Sequence, residues 1–492
     1  MTAESPKASK AARRPGGPGA AFDRRLLPPM MLGSVLNPVN SSIISVSLVP
    51  IGAAFGAPPD QTAWLISALY LATSIGQPVV GRLIDLHGPR RLFLAGSAMT
   101  GVAGVVGLLA PNLGVLIAAR VLLGFGTCAG YPAAMYLIRG EARRTGEDSP
   151  QGVLTALAVA NQTIAVIGPS LGGLLIGLGG WRTTLAVNIP LAVAGLVLGA
   201  RRLPRTVPSP AASSSEPAGA RGAAGLDLPG MVLFAGTLIA LLLFLMEPGA
   251  DHWYLLLLTV LLAGGFTVRE LRVAEPFIDL RLLRGNLPLV TTYLRALFAY
   301  VVSYAFLYGY TQWMEEGRGL TASQAGLAQL PLFATAIAVS TVTGRRAEVR
   351  GKLLVGAVCQ VLACGGLLFL RDDSAAWMLL ALALLVGIPQ GLNSLALQNS
   401  VYHQAQAERM GSSAGLLRTF GYLGAIVASA ANGAFLSGRA DTGGLHHLAW
   451  FMVAIAALFL VTTVADRSLS RIGAAPATPP AAPPPTTDAP AS

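Results

Sequence analysis

Gly81-Arg82-Leu83-Ile84-Asp85-Leu86-His87-Gly88 and Gly344-Arg345-Arg346-Ala347-Glu348-Val349-Arg350-Gly351 share the pattern Gly-Arg-x-x-acid-x-x-Gly. Each stretch sits in a short polar gap between two long apolar runs. One eight-residue match carries little weight; two in matching places of the hydropathy pattern mark an internal repeat. Working outward from both, runs long enough to cross a bilayer, about 20 residues each, fall near 29–51, 63–81, 92–110, 113–137, 153–178 and 183–200. Two more lie near 228–246 and 253–268, and six near 287–313, 326–343, 353–370, 375–400, 416–436 and 448–465. That makes fourteen spans. The repeat aligns the third with the eleventh, so spans 1–6 recur as spans 9–14 and spans 7–8 are an insert between them.

The fold expected is an all-α membrane protein of two six-helix bundles plus two inserted helices. Composition agrees: 53% of the 492 residues are hydrophobic and 12% charged, against roughly a quarter charged in soluble chains. Lipid offers backbone groups no hydrogen bonds, so each run must be helical. The expected divisions are a basic disordered tail 1–25, a bundle 26–200, a polar linker 201–227, the inserted spans 228–268, a second bundle 269–466 and a Pro/Ala-rich tail 467–492. No cleavable leader is expected in the polar, basic first residues.

The net charge of +11 could speak for nucleic acid in a soluble protein. Here it reads as the positive-inside rule. With both termini placed in the cytoplasm, 27 Lys and Arg fall in inner loops and tails and 4 in outer loops. Arg120, Arg295 and Arg418 lie within or at the edges of spans and complete the 34. So strong a bias implies an even number of spans and both ends inside. Cys128, Cys359 and Cys364 all lie in apolar runs, which argues against a disulfide framework. Parallel six-helix halves around a central path are one way secondary transporters are built. An embedded enzyme would need a catalytic pair at membrane depth, and no His or acid is placed there. A sensor would add a soluble domain, and no segment is long enough.

On these residues the chain resembles the major facilitator superfamily, in its fourteen-span drug:proton antiporter branch. The stretch 81–91 is similar to the family's gating motif, matching it at Gly81, Leu83, Asp85, Gly88 and Arg90, with Arg82 between; Gly344, Arg345, Glu348 and Gly351 echo it, and Leu86 and Pro89 replace two usual basic residues. The resemblance implies that Asp85 holds a helix terminus or an arginine in one state only. Arg120, before Gly124 and Gly126, resembles the fourth-span arginine tied to proton coupling. Gly168-Pro169-Ser170-Leu171-Gly172-Gly173 resembles the antiporter motif of the family's exporters, and Glu275 to Arg284 the entry to the second half. Together these imply a secondary active transporter, a proton-driven exporter of hydrophobic small molecules such as drugs or natural products. They further imply a monomer in a bacterial inner membrane, with a small-molecule substrate, protons and the lipid bilayer as partners, and neither nucleic acid, metal nor cofactor.

Asn40 stands where the branch commonly carries an acid, and all acids are placed in tails, loops or span ends, which leaves the proton's carrier unassigned. A substrate cavity is expected from polar side chains inside spans: Asn37, Asn40, Asn161, Gln390 and Asn393, with Arg295, and with Tyr300 and Tyr304 on a helical stripe that continues to Tyr308. Tyr308 and Trp313 are read as an interface belt. Arg120 and Arg295 without buried carboxylates favour an anionic or neutral ligand, so a facilitator-type carrier of an organic anion or neutral metabolite remains the alternative.

Overall fold

The computed structural model describes residues 22–471 except 58, 146–150, 206–226, 247–248, 274–275, 321, 345, 347 and 437–439. Most of both tails and of the linker, with Arg345 and Glu275, therefore lie outside the described residues. The first half comprises α1 (Leu27–Ser45), α2 (Leu48–Phe55), α3 (Pro59–His87), α4 (Pro89–Leu108), α5 (Leu113–Thr127), α6 (Gly130–Thr145), α7 (Gln151–Gly179), α8 (Arg182–Ala186) and α9 (Asn188–Arg202). The insert is α10 (Leu228–Met246) and α11 (Trp253–Glu270), followed by a short α12 (Leu280–Gly285). The second half is α13 (Leu287–Ala305), α14 (Ala322–Thr343), α15 (Arg350–Leu367), α16 (Ala376–Gln404), α17 (Met410–Phe435) and α18 (Thr442–Ala465). Thirteen stretches are long and apolar enough to cross a membrane among the described residues. The pair α1–α2, broken at Val46 and Ser47, supplies the remaining one of fourteen.

Local chemistry sets the boundaries. Asn112, Asn286 and Asp441 cap α5, α13 and α18, each accepting from a backbone N–H three residues on. α3 does not end where the apolar run ends. It carries Gly81 to His87 as helix, and the expected eight-residue loop shrinks to Gly88, whose φ of +84° suits a residue without Cβ. Pro89 then opens α4, where its missing N–H costs nothing.

The halves meet where α17 packs on α3 and α6 and where α14 packs on α7. Both copies of the repeated motif lie there. A Cβ on Gly81 would stand 2.4 Å from the Gly411 carbonyl oxygen of α17, and one on Gly344 within 2.6 Å of Thr155 of α7 and Ser340. Each glycine thus lets its half approach the fifth helix of the other, the arrangement that a two-fold repeat requires.

The inserted helices pack on each other, and α10 touches α3 and α17. α11 leaves Trp253, Tyr254, Leu257, Val260 and Leu261 exposed, an apolar face for lipid. The foot of the insert is polar. Asp227 Oδ1 accepts from Gly230 N at 3.0 Å and from Arg269 at 2.7 Å; Glu270 Oε2 accepts from Ile278 N at 3.0 Å. Asp227 lies outside the spans. Burial pushes its carboxyl up, but the hydrogen bonds from Arg269 and Gly230 outweigh that and hold it below its ordinary value. Glu270, the last residue of α11, is fully buried at that span end.

Candidate functional site

Between the halves the contacts differ at the two ends. At the face where the chain enters α1 and leaves α18, here the terminal face, they are dense and charged. Asp85 Oδ1 accepts from Gly411 N at 2.8 Å, and Oδ2 from Ser412 N at 2.9 Å and from the Ser412 hydroxyl. These are the first N–H groups of α17, where the helix end carries positive partial charge. Arg82 adds its field to the same carboxylate. Arg139 of α6 donates to Tyr402 O at 3.3 Å and lies 4.8 Å from that ring's centre; Arg143 pairs with Glu408 at 2.9 Å. Gly415 packs so closely on α3 that a Cβ would sit 2.4 Å from Gln77 O. The terminal face is closed. Arg90 is occupied elsewhere, donating to Ala200 O at 2.9 Å and so capping α9.

Deeper in, the seam is lined with tyrosine. Tyr300, Tyr304 and Tyr308 stack in turn, with centroids 6.1 and 5.8 Å apart, so the stripe read from i, i+4 spacing is one face. A π-helical turn, Phe306–Tyr310, continues α13 there, a distortion frequent at functional sites. From the first half Tyr70 closes on them: 6.5 Å from Tyr304, 5.7 Å from Tyr422, and hydroxyl to hydroxyl with Tyr308 at 3.3 Å. Tyr422 donates to Asn37 Oδ1 at 2.9 Å, and Asn37 donates to Thr127 at 3.1 Å. Tyr300 fits because α17 presents Gly421 and Gly424 to it. Arg418 of α17 stands among these rings, 4.0 Å from the centre of Tyr131.

The other cavity residues expected from sequence make their hydrogen bonds within a single half. Arg295 is fully buried between α13 and α18, donating to Asp466 Oδ2 and to Thr462 O, both at 2.7 Å. It has a carboxylate after all, and its charge is spent on helix packing. Asn40 faces α9: its Nδ2 donates to Asn188 Oδ1 at 2.7 Å and to Leu36 O, and Asn188 donates back at 2.8 Å. Asn393 donates to Gln360 at 3.0 Å and Gln390 accepts from Ser303 at 2.8 Å, all four in the second half. Asn161 donates to Leu157 O of its own helix and keeps a buried, unpartnered Oδ1. The belt reading of Trp313 also gives way: it is fully buried and donates to Thr442.

Arg120 is buried with carbonyls, not acids, as partners: Leu65 O at 2.9 Å and Asn40 O at 3.4 Å. In the span-5 motif, Gly168 and Gly172 let α7 press on Ser42 and Ile43 of α1 and on Val46 just after it, while Gly173 faces open space. Pro169 lies inside α7. Small residues at such a crossing allow close helix approach.

The Asn40–Asn188 exchange makes a prediction. Asn40→Asp removes both donations and sets a carboxylate against Leu36 O. It is expected to lower stability by about 1–3 kcal/mol, read as a lower melting temperature in detergent, with the substrate range unchanged. A stable variant with an altered pH profile of transport would return Asn40 to the pathway.

Tyr70, Tyr131 and Tyr422 do not stand out in the sequence, and Arg418 stands there only at a span edge, because the apolar run begins near 416. The helix begins at Met410, and the small residues Gly411-Ser412-Ser413-Ala414-Gly415 carry it inward. Eight positions at 1.5 Å each put Arg418 about 12 Å into the helix. A helix start drawn through that small-residue run would have found it.

Two repeated bundles that meet at a closed end and a polar, aromatic seam define a membrane carrier for a small molecule. The chain belongs to the Major Facilitator Superfamily, whose profile matches residues 30–429. It is 32% identical over 405 residues to the uncharacterized MFS-type transporter YwoD of Bacillus subtilis (strain 168), covering 81% of this chain and 86% of the relative. It is 30% identical over 463 residues to the cephamycin export protein CmcT of Amycolatopsis lactamdurans, covering 87% and 90%. Among solved structures it resembles the human organic anion transporter MFSD10 (TETRAN), with a TM-score of 0.64 at 13% identity, covering 89% of this chain and 99% of that one; that likeness concerns the fold alone.

Proposed function

We propose that this protein is a proton-driven exporter of hydrophobic small molecules, of drug or natural-product type, in the fourteen-span drug:proton antiporter branch. The terminal face is then cytoplasmic, in a bacterial plasma membrane. The observation that carries this reading is the Asp85 latch on the N-terminus of α17, closing one end of an aromatic seam between the halves. The latch spans two bodies, so it must break when that end opens, as alternating access requires. Kinship with a cephamycin exporter and the antiporter-like packing of Gly168 and Gly172 on α1 support the outward direction.

The test is transport in proteoliposomes with an imposed pH gradient, screened over drug-like compounds. Export predicts accumulation of at least one compound that collapses when the gradient is dissipated. Transport indifferent to the gradient supports the second reading, a carrier of an organic anion or neutral metabolite with different coupling. That reading is favoured by Arg418, a cation in the seam.

Orientation has its own expected result. Reporter fusions after Arg205 and at the C-terminus should read cytoplasmic, and one at 249–251, between α10 and α11, external. A cytoplasmic signal at 249–251 would overturn the assignment of α10 and α11 as two crossings.

A further inference from the structure

We infer that Arg418 and Tyr131 form the recognition site for an acidic group on an aromatic substrate, so that the carrier selects organic anions over the matching neutral and cationic compounds; this rests on the seam being the transport path. The three intramembrane arginines differ in one respect. Arg295 is neutralised by Asp466, and Arg120 is held by two main-chain carbonyls inside the first half. Arg418 has neither: among the described residues it makes no ion pair and no hydrogen bond, and it lies over the Tyr131 ring, with Tyr300, Tyr304 and Tyr422 within reach of its charge.

A guanidinium at membrane depth is costly unless paired, and Arg418, only half-buried, keeps its donors unsealed by protein. A ring face offsets part of that cost, but it leaves the five N–H donors of the fork unanswered. The second observation is independent. The Tyr131 hydroxyl, on a side chain 3% exposed, has no hydrogen-bond partner. The guanidinium lies over the ring that carries this hydroxyl, 4.0 Å from its centre, and both groups can donate. A carboxylate or phenolate answers both at once: bidentate acceptance from the arginine, the geometry it favours, and one further bond from the tyrosine. The stacked faces of Tyr300 and Tyr304, both half-buried, supply the surface for an attached aromatic ring. A cationic substrate would meet Arg418 with like charge.

The experiment compares 1-hydroxy-2-naphthoate with its amide, which has nearly the same shape without the charge, and with ethidium as a cationic arene. Binding to the purified full chain is measured by equilibrium dialysis, and uptake in proteoliposomes. The wild type should bind and move the acid in preference to the amide and ethidium. Arg418→Gln should weaken acid binding at least about tenfold, the worth of a charge-assisted hydrogen bond, and leave the amide unchanged. Arg418→Lys should restore part of the loss, which a purely structural arginine would not show. Tyr131→Phe, a milder change, should weaken the acid several-fold and guards against an unfolded Arg418→Gln protein. Equal losses for acid and amide, or a wild type that prefers the amide or ethidium, overturn the anion site and leave export standing. Acid binding that follows the expected pattern without any uptake would instead count against the transport reading. A wild type that neither binds nor moves any of the three overturns the anion site.

Discussion

Asp85→Asn is expected to slow transport by about tenfold or more while the protein reaches the membrane in normal amounts. The carboxylate now accepts from two main-chain N–H groups and one hydroxyl at the start of α17, all pointing donors at it. An amide offers one oxygen; its NH2 would face a donor. Hydrogen bonds to a charged group contribute about 1.5–3 kcal/mol, and the charge's attraction to the helix end is lost as well. Removing them shifts the balance between closed and open terminal faces by roughly 10- to 100-fold. A carrier must visit both states each cycle, so a large bias either way slows it. The fold should survive, because Gly81 still seats against Gly411 and the Arg143–Glu408 pair still closes the same face. Initial rates in proteoliposomes, beside immunoblots of the membrane fraction, test this. Wild-type rates in the variant would reduce Asp85 to a charge that merely marks topology.

Arg295→Met is expected to cost the most stability of any change considered. The arginine is 0% and Asp466 12% exposed in the side chain, with the ions 2.7 Å apart. Breaking a buried pair by removing one partner costs about 3–5 kcal/mol, because the other charge is left uncompensated. Asp466 lies just outside α18. Burial pushes its carboxyl up, but Ser468 and Arg295 outweigh burial and hold it below its ordinary value. The sign follows: a depressed carboxylate contributes stability that is complete above the unfolded pKa, about 3.9, and is lost as pH falls through its lower folded value. The wild type should therefore lose this contribution only in strong acid, whereas Arg295→Met should be destabilised throughout the neutral range. Adding Asp466→Asn should recover part of the loss, and the double-mutant cycle in thermal unfolding isolates the pair. A variant with normal stability but altered substrate preference would put Arg295 back in the cavity.

The fourteen spans were legible because the solvent change is written residue by residue: lipid demands long apolar runs, and only helices satisfy their backbone there. The repeat was legible because both copies of Gly-Arg-x-x-acid-x-x-Gly kept the glycines that let each half approach the other, at Gly81 and Gly344. The tyrosine stripe followed from helical period alone, and the structure stacks it on one face. Span ends were poorly legible where helix continued through small or polar residues, as at Gly81–His87 and Gly411–Gly415.

What tertiary structure alone decided is where each buried polar group finds its partner. Asn40 answers Asn188, 148 positions away, Arg295 answers Asp466, 171 away, and Asp85 answers Gly411 and Ser412 across the seam. Hydropathy and period fix which residues are helical and which face is apolar. They hold no information on which of several buried amides or arginines meet, since that depends on the rotation of each helix about its axis. The same rotation leaves Arg418, alone of the three intramembrane arginines, among tyrosines instead of beside an acid or a carbonyl.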